Sequence, residues 1–538
     1  MTGAELFVAC LEEAGVEIIY GLPGEENTEL MLALDKSSIQ FVLTRHEQSA
    51  AYMASVYGRL TGRPAGCLAT LGPGATNLIT GVADAHFDFA PLIAITGQGS
   101  TGRMAVSESH QVMDLTALFR PVTKLSRTLM SASEIPGAVA EAVRTATAPR
   151  PGAVHLSLPE DVASAKADSA PLSLPPAYVP VASDRAIKAA AAVLAGAKKP
   201  MVLAGAGVVR SGAASAVIDF VEAHQLPVAV TFMGNGIIPG DHDLYLGTFG
   251  QPFDDYIDKA LQEADIIVAI GFDPIEVSPS KLAETGQPDV VHIADLAALA
   301  DVGWALKADV SGNVADTLPA LSAALGSQQW EVPVSVRDVQ KLLEKEQTRT
   351  PEARDGTFLP EDVLHIVARD LRPDDTVVSG VGTHKLKVAR SLNAKRPGQI
   401  IIANGSAGMG IALPGAIAAA AMQKDGRTLA ICGDGEFLIN LQEAETAARL
   451  GLSLTVLLWE DGGYGLIEEK QETAKGAHTD LSFENPDWAS LCAAFGWDHL
   501  PVTTADALRE ALAQTRQTQK PALITLKVDY SEGLEPNQ

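Results

Sequence analysis

Short apolar runs rich in β-branched residues alternate with alanine-rich helical stretches along most of the chain. The runs that predict strands are 16–20, 40–44, 66–70, 92–96 and 153–156, then 200–204, 227–231, 266–270 and 290–293, and finally 376–378, 399–402, 427–431, 452–458 and 522–526. Alternation of strands with helices is typical of βαβ units around a parallel sheet. The pattern therefore predicts an α/β fold made of three doubly wound parallel-sheet domains in series.

Two changes in composition separate the three series of strands. A proline-rich stretch at 170–176 indicates an extended linker. A charged, glutamine-rich helical stretch at 335–354 precedes the third series. A chain of 538 residues is expected to hold about three to four domains. We therefore predict domain boundaries at 1–170, 184–334 and 355–538.

Charge and composition exclude several classes of partner. The net charge is −26, from 40 basic and 66 acidic residues, which argues against nucleic acid and against an anionic membrane surface. No apolar run reaches transmembrane length, and the first residues read as an amphipathic helix rather than a secretory signal. The four cysteines are scattered and lack metal-binding spacing, as expected for reduced thiols in the cytoplasm. We predict a cytoplasmic protein without nucleic acid or membrane partners.

Acidic residues beside glycines follow two predicted strands of the third domain. The strand at 427–431 leads into Gly433-Asp434-Gly435, and the strand at 452–458 leads to Asp461. Strands of a parallel sheet end at the same edge, which is where open α/β sheets bind ligands. Two carboxylates with a free backbone carbonyl suit Mg²⁺, and the glycines let backbone N–H groups approach a diphosphate. Because a lone Gly-Asp-Gly is often a plain turn, the prediction depends on the paired acids.

With this spacing, the Gly-Asp-Gly turn resembles the thiamine-diphosphate-binding motif. Asp461 stands where most members carry Asn, and in this the chain resembles the catabolic acetolactate synthases. The resemblance extends over essentially the whole chain, from 20–24 to 528–531. It implies an enzyme that binds thiamine diphosphate and Mg²⁺, with the metal ion held by Asp434, Asp461 and Gly463.

Glu47 follows the predicted strand at 40–44 and opens a predicted helix at 49–60. Taken alone, a glutamate in the first turn of a helix is explained by the helix dipole. Its place after His46 resembles the activating glutamate of this superfamily, which bonds to the aminopyrimidine ring of the coenzyme. Members of the family build each site from this glutamate of one subunit and the diphosphate crevice of another. The resemblance therefore implies a catalytic Glu47 in a homodimer or homotetramer.

The resemblance assigns further residues around the coenzyme. Gln111 matches a glutamine beside the reacting carbon, although a helix-start amide would also explain it. Met409 matches an apolar residue that wedges between the coenzyme rings, although core packing is the commoner role of a methionine. His384 could donate to a phosphate oxygen or could be a solvated loop histidine. The full set of implied cofactor-binding residues is Pro23, Gly24, Glu47, Gly72, Asn77, Gly382, Thr383, His384, Ser406, Gly408, Met409, Gly433, Asp434, Gly435, Glu436, Gly463, Tyr464 and Gly465.

Two departures from the family bear on the substrate. Glu25 and Glu26 follow Pro23-Gly24, where the family more often has a small residue. If one of these acids faces the thiazolium ring of the coenzyme, it would repel a second 2-oxo acid or manage protons, so Glu25 is a third candidate catalytic residue beside Glu47 and Gln111. Lys470 stands where biosynthetic members have a tryptophan. Pairing of Lys470 with Glu469 or Glu472 in solvent is favoured over steering of a carboxylate.

The middle domain bears on a second cofactor. The sequence at 205–212, Gly-Ala-Gly-Val-Val-Arg-Ser-Gly, matches a dinucleotide-binding pattern only loosely, so a tight turn onto a helix is favoured over a nucleotide site. The stretch at 271–276 resembles the catabolic acetolactate synthases rather than the flavin-containing biosynthetic enzymes. The resemblance therefore implies an enzyme without FAD.

The implied reaction is carboligation. Such an enzyme decarboxylates pyruvate, a 2-oxo acid, and joins the remaining two-carbon unit to a second carbonyl, forming 2-acetolactate. Two alternatives stay open at this point. One is a 2-oxo acid decarboxylase or aldehyde carboligase on the same scaffold, and the other is a non-catalytic binding protein. In either enzyme the partner is a small 2-oxo acid or an aldehyde.

Overall fold

The computed structural model describes residues 1–530 with the exception of 107, 176, 253–254, 285–287, 300–302, 304 and 424. The described chain divides into two compact units. The first unit consists of Met1–Tyr178, Gly405–Gln423 and Glu436–Leu452. The second unit consists of Val179–Asn404, Lys424–Gly435 and Ser453–Gln538.

The first unit contains a six-stranded, all-parallel sheet. Its strands are β1 (Ile18–Leu22), β2 (Gln40–Leu43), β3 (Ala65–Ala69), β4 (Leu92–Gln98), β5 (Leu125–Thr128) and β6 (Ala153–Pro159). The spatial order is β2-β1-β3-β4-β6-β5. The helices are α1 (Gly3–Glu13), α2 (Thr28–Leu34), α3 (Glu47–Thr61), α4 (Pro73–Phe87), α5 (Thr101–Met104), α6 (Leu115–Phe119), α7 (Ile135–Thr147) and α8 (Glu160–Ser164), with short 3-10 turns at Glu25–Asn27, Arg120–Val122 and Ala132–Glu134.

Burial explains why this sheet forms where the apolar runs predict it. Strands β3, β4 and β6 are buried along their whole length, as is typical of parallel strands covered by helices on both faces. Helices α3 and α4 approach closely at Gly81, where a built Cβ would lie 2.6 Å from the Cβ of Ala51. This close packing fixes the starts of both helices at the carboxyl edge of the sheet.

The second unit contains a second six-stranded parallel sheet. Its strands are β7 (Pro200–Ala204), β8 (Val228–Thr231), β9 (Tyr245–Phe249), β10 (Ile266–Ile270), β11 (Asp289–Ala294) and β12 (Ala305–Ser311), in the order β12-β11-β10-β7-β8-β9. The helices are α9 (Asp184–Ala195), α10 (Ala206–Arg210), α11 (Ala214–His224), α12 (Tyr256–Gln262), α13 (Pro279–Glu284), α14 (Val314–Leu325) and α15 (Val334–Gln347), with a 3-10 turn at Phe232–Gly234.

A third, eight-stranded sheet also belongs to the second unit. Its strands are β13 (Ala353–Arg354), β14 (Thr357–Phe358), β15 (Thr376–Ser379), β16 (Ile400–Ile402), β17 (Thr428–Gly433), β18 (Leu454–Glu460), β19 (Asp498–Pro501) and β20 (Ala522–Val528). The order is β13-β14-β20-β18-β17-β15-β16, with β19 paired to β20 and only the β13–β14 pair antiparallel among the described strands. The remaining helices are α16 (Pro360–Asp370), α17 (Thr383–Ser391), α18 (Ala412–Met422), α19 (Asp434–Ile439), α20 (Glu443–Arg449), α21 (Gly465–Lys475), α22 (Trp488–Phe495) and α23 (Ala505–Thr515).

The predicted fold class is confirmed, with parallel-sheet α/β architecture throughout and one antiparallel pair added to the third sheet. The predicted strand at 16–20 is shifted, since β1 begins at Ile18. The predicted helix at 335–354 ends early, because α15 stops at Gln347. The domain boundaries stay a prediction. Among the described residues, no helix combines the length and the apolar character that crossing a membrane requires.

Candidate active site

The two predicted metal-binding acids lie at one edge of the third sheet. Strands β17 and β18 pair in parallel and end side by side, so Asp434 and Asp461 follow at the same edge. Asp434 is 1% exposed. Its Oδ1 accepts a hydrogen bond from the N–H of Gly435 at 2.8 Å, and its Oδ2 accepts from the N–H of Gly462 at 2.9 Å and from Nδ2 of Asn485 at 2.7 Å. The glycine turn therefore holds Asp434 in one orientation.

The charges of this edge suit a divalent cation. Desolvation and the neighbouring Asp434 carboxylate raise the pKa of Asp461 to about 7. The side-chain Oδ1 of Asn485 is buried and, within the described part of the chain, has no hydrogen-bond partner. No group of three or more His, Cys, Asp or Glu side chains placed to hold a metal occurs among the described residues. A cation here would rest on two carboxylates together with amide, backbone and ligand oxygens, the hard set that Mg²⁺ prefers.

Space is left open in front of the glycine turn. A Cβ built on Gly433 would have Nδ1 of His384 as its nearest atom, at 3.4 Å, and a Cβ on Gly463 would lie 3.4 Å from the Leu481 carbonyl oxygen. Both are ordinary contacts, so protein packing does not explain these two glycines. A backbone that must be approached closely by a ligand does explain them. The residues therefore fit a diphosphate group.

His384, one of the predicted cofactor-binding residues, lies beside Gly433. It is 3% exposed, in the first turn of α17, and is not a solvated loop histidine. Burial lowers its pKa to about 3, so the ring is neutral. Its Nε2 is buried and has no hydrogen-bond partner among the described residues. A neutral ring with an open nitrogen can take part in one hydrogen bond with a ligand.

Glu47 lies at the carboxyl edge of the first sheet. It is the first residue of α3 and is 6% exposed. Its Oε2 accepts a hydrogen bond from Nδ2 of Asn77 at 3.0 Å. Asn77 lies in the first half of α4, which begins after Gly72 in a backbone conformation with φ of 58°. The structure thus brings together two predicted site residues, Glu47 and Asn77.

A residue that sequence reasoning missed holds the turn before Glu47. Glu443 is fully buried, and its Oε1 accepts hydrogen bonds from the N–H groups of Arg45 and His46, each at 3.0 Å. Thr446 Oγ1 donates to the other carboxylate oxygen at 2.6 Å. Burial raises the pKa of Glu443. Because Glu443 lies 397 positions from His46, no local pattern could have indicated this contact.

The turn that carries Met409 is fixed through its backbone. The O–H of Tyr52, on α3, donates to the Met409 carbonyl at 3.2 Å. A Cβ on Gly408 would lie 2.3 Å from the Tyr52 hydroxyl oxygen, so glycine is required there. Glu436 Oε1 accepts from the N–H of Gly410 at 2.9 Å. Met409 itself is half-buried, which leaves both the wedge and the packing interpretations open.

The acidic turn after β1 encloses one of its two glutamates. Glu25 is exposed. The side chain of Glu26 is only 9% exposed and accepts a hydrogen bond from Thr70 Oγ1 at 2.9 Å.

Gln111 is exposed and lies in a turn with φ of 59°, rather than at a helix start. A Cβ on Gly72 would lie 2.9 Å from the Gln111 Cβ, so the structure places Gln111 against the start of α4, the helix that carries Asn77.

The other predicted residues lie in the same turns. Gly24 donates its N–H to Asn27 Oδ1 at 3.0 Å, and Tyr464 packs its ring 5.6 Å from that of Phe483. Pro23, Gly382 and Ser406 lie between a strand and a helix, and Thr383, Gly435 and Gly465 lie in the first turns of α17, α19 and α21. Lys470 is an exposed residue of α21.

Comparisons with known proteins cover the whole chain. Three family models match it: the thiamine pyrophosphate enzyme N-terminal TPP binding domain at residues 1–118, the central domain at 187–321 and the C-terminal TPP binding domain at 380–526. The acetolactate synthase of Bacillus subtilis is 31% identical over 99% of this chain and 94% of its own length. The chain belongs to the acetolactate synthase family of thiamine pyrophosphate enzymes.

Further relatives agree with this assignment. The large subunit of acetolactate synthase isozyme 2 of Escherichia coli is 32% identical over 100% of this chain and 97% of its own length. The catabolic acetolactate synthase of Raoultella terrigena is 30% identical over 99% of this chain and 96% of its own length. The family resemblance predicted from the sequence is confirmed, and the protein is an enzyme dependent on thiamine diphosphate, which is also called thiamine pyrophosphate.

The glycine-rich stretch of the middle domain is a tight turn in this acetolactate synthase family member. A Cβ on Gly205 would lie 2.6 Å from the Gly271 carbonyl oxygen, which shows how closely the two turns approach. The N–H of Ala206, the first residue of α10, donates to Oε1 of Glu276 at 2.9 Å. Burial, and then the charge of Asp273, raise the pKa of Glu276 to about 7.

Proposed function

We propose that this member of the acetolactate synthase family decarboxylates pyruvate and joins the remaining two-carbon unit to a second pyruvate, which yields 2-acetolactate and CO₂. Thiamine diphosphate, when bound, supplies the electron sink for breaking and making these carbon–carbon bonds. The observation that carries the proposal is the open, doubly acidic edge of the third sheet in a chain whose full-length relatives are acetolactate synthases.

We propose that Asp434 and Asp461 hold Mg²⁺ and that the turn at 433–435 binds the diphosphate. Three hydrogen bonds orient the Asp434 side chain, and its negative charge contributes to the raised pKa of Asp461. A cation between the two carboxylates removes their repulsion. His384 Nε2 then provides a neutral contact for a phosphate oxygen.

Glu47 is proposed as the group that exchanges a proton with the aminopyrimidine ring. Asn77 occupies Oε2, which leaves Oε1 for this exchange. The Glu443 contacts to Arg45 and His46 hold the turn before Glu47 and thereby its side chain. A catalytic carboxyl needs this kind of support from its neighbours to stay in a productive geometry.

We infer that the middle domain does not take FAD. The Glu276 carboxylate already receives the Ala206 N–H, the group that an incoming phosphate would need. The backbone approach at Gly205 and Gly271 leaves no space between the turns. Absorbance of the purified protein at flavin wavelengths tests this inference, and a stoichiometric flavin spectrum would contradict it.

The reaction is tested by incubating the protein with pyruvate, thiamine diphosphate and Mg²⁺ and measuring acetolactate, free acetaldehyde and CO₂. Acetolactate as the main product supports the proposal. Acetaldehyde alone would instead identify a decarboxylase. Glu47→Gln keeps the shape and loses the acidic group, so we expect a fall in the rate of about a hundredfold or more. Full activity of Glu47→Gln would overturn the assignment of Glu47.

We propose that the active enzyme is a homodimer or homotetramer in the cytoplasm. The cytoplasm is supported by four buried free thiols. Shared sites are tested by mixing two inactive variants, Glu47→Gln and Asp434→Asn, under conditions that exchange subunits. A mixed dimer then contains one site with both native residues, and activity returns. If each site comes from one chain, the mixture stays inactive.

A further inference from the structure

A single arginine joins three turns at the carboxyl edge of the first sheet. Arg103 lies on α5, just after β4. Its Nη1 is 3.2 Å from Glu160 Oε2 and 3.7 Å from Glu26 Oε1, and its Nη2 donates to the His110 carbonyl oxygen at 3.0 Å. The guanidinium therefore connects the turn after β1, the turn after β6 and the turn that carries Gln111.

The two acidic partners of Arg103 are themselves anchored to the sheet. Glu26 accepts from Thr70 Oγ1, directly after β3. Glu160 Oε2 accepts from the N–H of Ser100 at 3.2 Å, directly after β4. The Glu26 side chain is 9% exposed, so its charge needs a partner in a poorly solvated place. These contacts orient the Arg103 guanidinium so that it can donate to the His110 carbonyl oxygen.

The turn that Arg103 reaches is strained. Gln111 has φ of 59°, a left-handed conformation that non-glycine residues adopt only when their surroundings hold them there. Its neighbour Val112 packs against Gly99, where a built Cβ would lie 2.8 Å from Val112 Cγ2 and 3.4 Å from Arg103 Cζ. The Gln98 amide donates to the Met113 carbonyl at 3.0 Å. Arg103 and the end of β4 thus hold both sides of Gln111.

We propose that Arg103 is a positioning residue that fixes the Gln111 turn against Gly72, at the start of the helix whose Asn77 contacts Glu47, and that Glu160 and Glu26 are the acids that orient Arg103. Arg103 acts through Gln111 and not on the substrate. The inference rests on the proposed function, because it makes the Gln111 amide part of the site at which the two carbonyl compounds meet.

The test is a double-mutant cycle with Arg103→Gln, Gln111→Ala and the double variant. Rates of CO₂ release and the ratio of acetolactate to acetaldehyde are measured for each. A displaced active-site group costs about tenfold to a hundredfold in rate, and we expect Arg103→Gln to lower kcat/KM within that range. Because Arg103 acts through Gln111, the double variant should be no slower than Gln111→Ala. The inference would be overturned if the rate losses of the two single variants multiplied in the double variant, or if Arg103→Gln had wild-type kinetics.

Three further variants separate positioning from general loss of structure. Arg127→Gln is the matched control, since Arg127 lies on β5 of the same sheet and pairs with two acids, Glu134 and Glu141, so its loss should leave kinetics unchanged. Arg103→Lys keeps the charge but not the fork of donors, so we expect partial rescue of the product ratio. Glu26→Gln should shift that ratio in the same direction as Arg103→Gln. Equal behaviour of Arg103→Lys and Arg103→Gln at unchanged melting temperature would contradict the ion-pair assignment.

Hydrogen exchange provides a readout that does not depend on activity. In Arg103→Gln, the amides of residues 108–114 should exchange faster, while those of α3 and α4 stay protected. Unchanged exchange in 108–114 would by itself overturn the positioning role. Failure of the wild-type protein to release CO₂ from any 2-oxo acid would instead overturn the proposed function, so that the two failures are distinct.

Discussion

In both the middle and the third sheet, a strand is followed by a glycine turn and then a helix. The two turns differ in how much space lies beside the glycine. At the middle edge, a Cβ on Gly271 would lie 2.4 Å from the Val208 nitrogen, so its glycine is needed for backbone to pack on backbone. At the third edge, a Cβ on Gly433 would find nothing nearer than His384 at 3.4 Å. The same residue type serves internal packing in one turn and ligand access in the other.

The two edges differ in charge as well. In the middle turn, Arg210 pairs with Asp273 and the Ala206 N–H pairs with Glu276, so the acids have partners within the chain. An acid in each turn has a raised pKa, Glu276 beside Asp273 in the middle turn and Asp461 beside Asp434 in the third turn. The difference is that the middle pair of acids has Arg210 as a partner, whereas the group that acts on Asp461 is a second carboxylate, Asp434. Of these two glycine turns, the candidate ligand site is the one that has open space beside its glycine and two carboxylates close together.

The largest effect is expected from Asp434→Asn. The change removes the buried charge that accepts three hydrogen bonds, and an amide nitrogen would face donors instead. We expect loss of Mg²⁺-dependent uptake of thiamine diphosphate in calorimetry and a rate at least about a hundredfold lower. Asp506→Asn, an exposed change on α23, is the control. Wild-type coenzyme uptake by a folded Asp434→Asn protein would contradict the metal assignment.

The paired changes Gly271→Ala and Gly433→Ala test the contrast directly. Gly271 has φ of 58° and no space for a side chain, so alanine there should lower the free energy of unfolding by about 1–3 kcal/mol or more. Gly433→Ala should keep the free energy of unfolding within about 1 kcal/mol and instead weaken coenzyme binding. Urea unfolding and calorimetry measure the two quantities. Equal destabilisation by both changes would remove the distinction between the edges.

Glu276→Gln tests the filled edge through pH. The folded-state pKa of Glu276 is raised from 4.5 to about 7, so between these values the folded protein keeps a proton that the unfolded chain releases. Its contribution to stability is therefore complete below about pH 4.5 and is lost as the pH rises towards 7. Glu276→Gln should flatten this part of the stability profile, as measured by melting temperature from pH 4.5 to 8. An unchanged profile would refute the assigned pKa.

The smallest effect is expected from Asp461→Asn. Asparagine keeps an oxygen for the cation and removes the repulsion from Asp434, so activity should stay within about tenfold of wild type. The raised pKa of Asp461 predicts that the metal-free protein loses stability as the pH rises towards 7, and the variant should not show this loss. Thermal unfolding with and without Mg²⁺ measures both effects. Complete inactivation would show that the second charge is indispensable.

Interior strands were predictable from the sequence, whereas only some of the edge strands were. The edge strands β2 and β16 match predicted runs. Strands such as β4 and β10 are buried on both faces and appear in the sequence as continuous apolar runs. The strands that the pattern missed lie at or next to the sheet edges: β5, β9, β12, β13, β14 and β19. Several of them, such as β5 and β12, alternate or mix polar and apolar residues because part of each strand is exposed.

Local patterns were enough to predict the parallel-sheet architecture and the positions of Asp434, Asp461 and Glu47 after strands, because hydrophobic periodicity and glycine turns are local properties of the chain. The groups that support Asp434 and Glu47 became visible only in the folded chain. Asn485 lies 51 positions from Asp434, Glu443 lies 397 positions from His46, and the fold encloses Glu26 while Glu25 stays exposed. Such partners are set by how helices and sheets pack, and packing joins residues whose separation along the chain carries no signal.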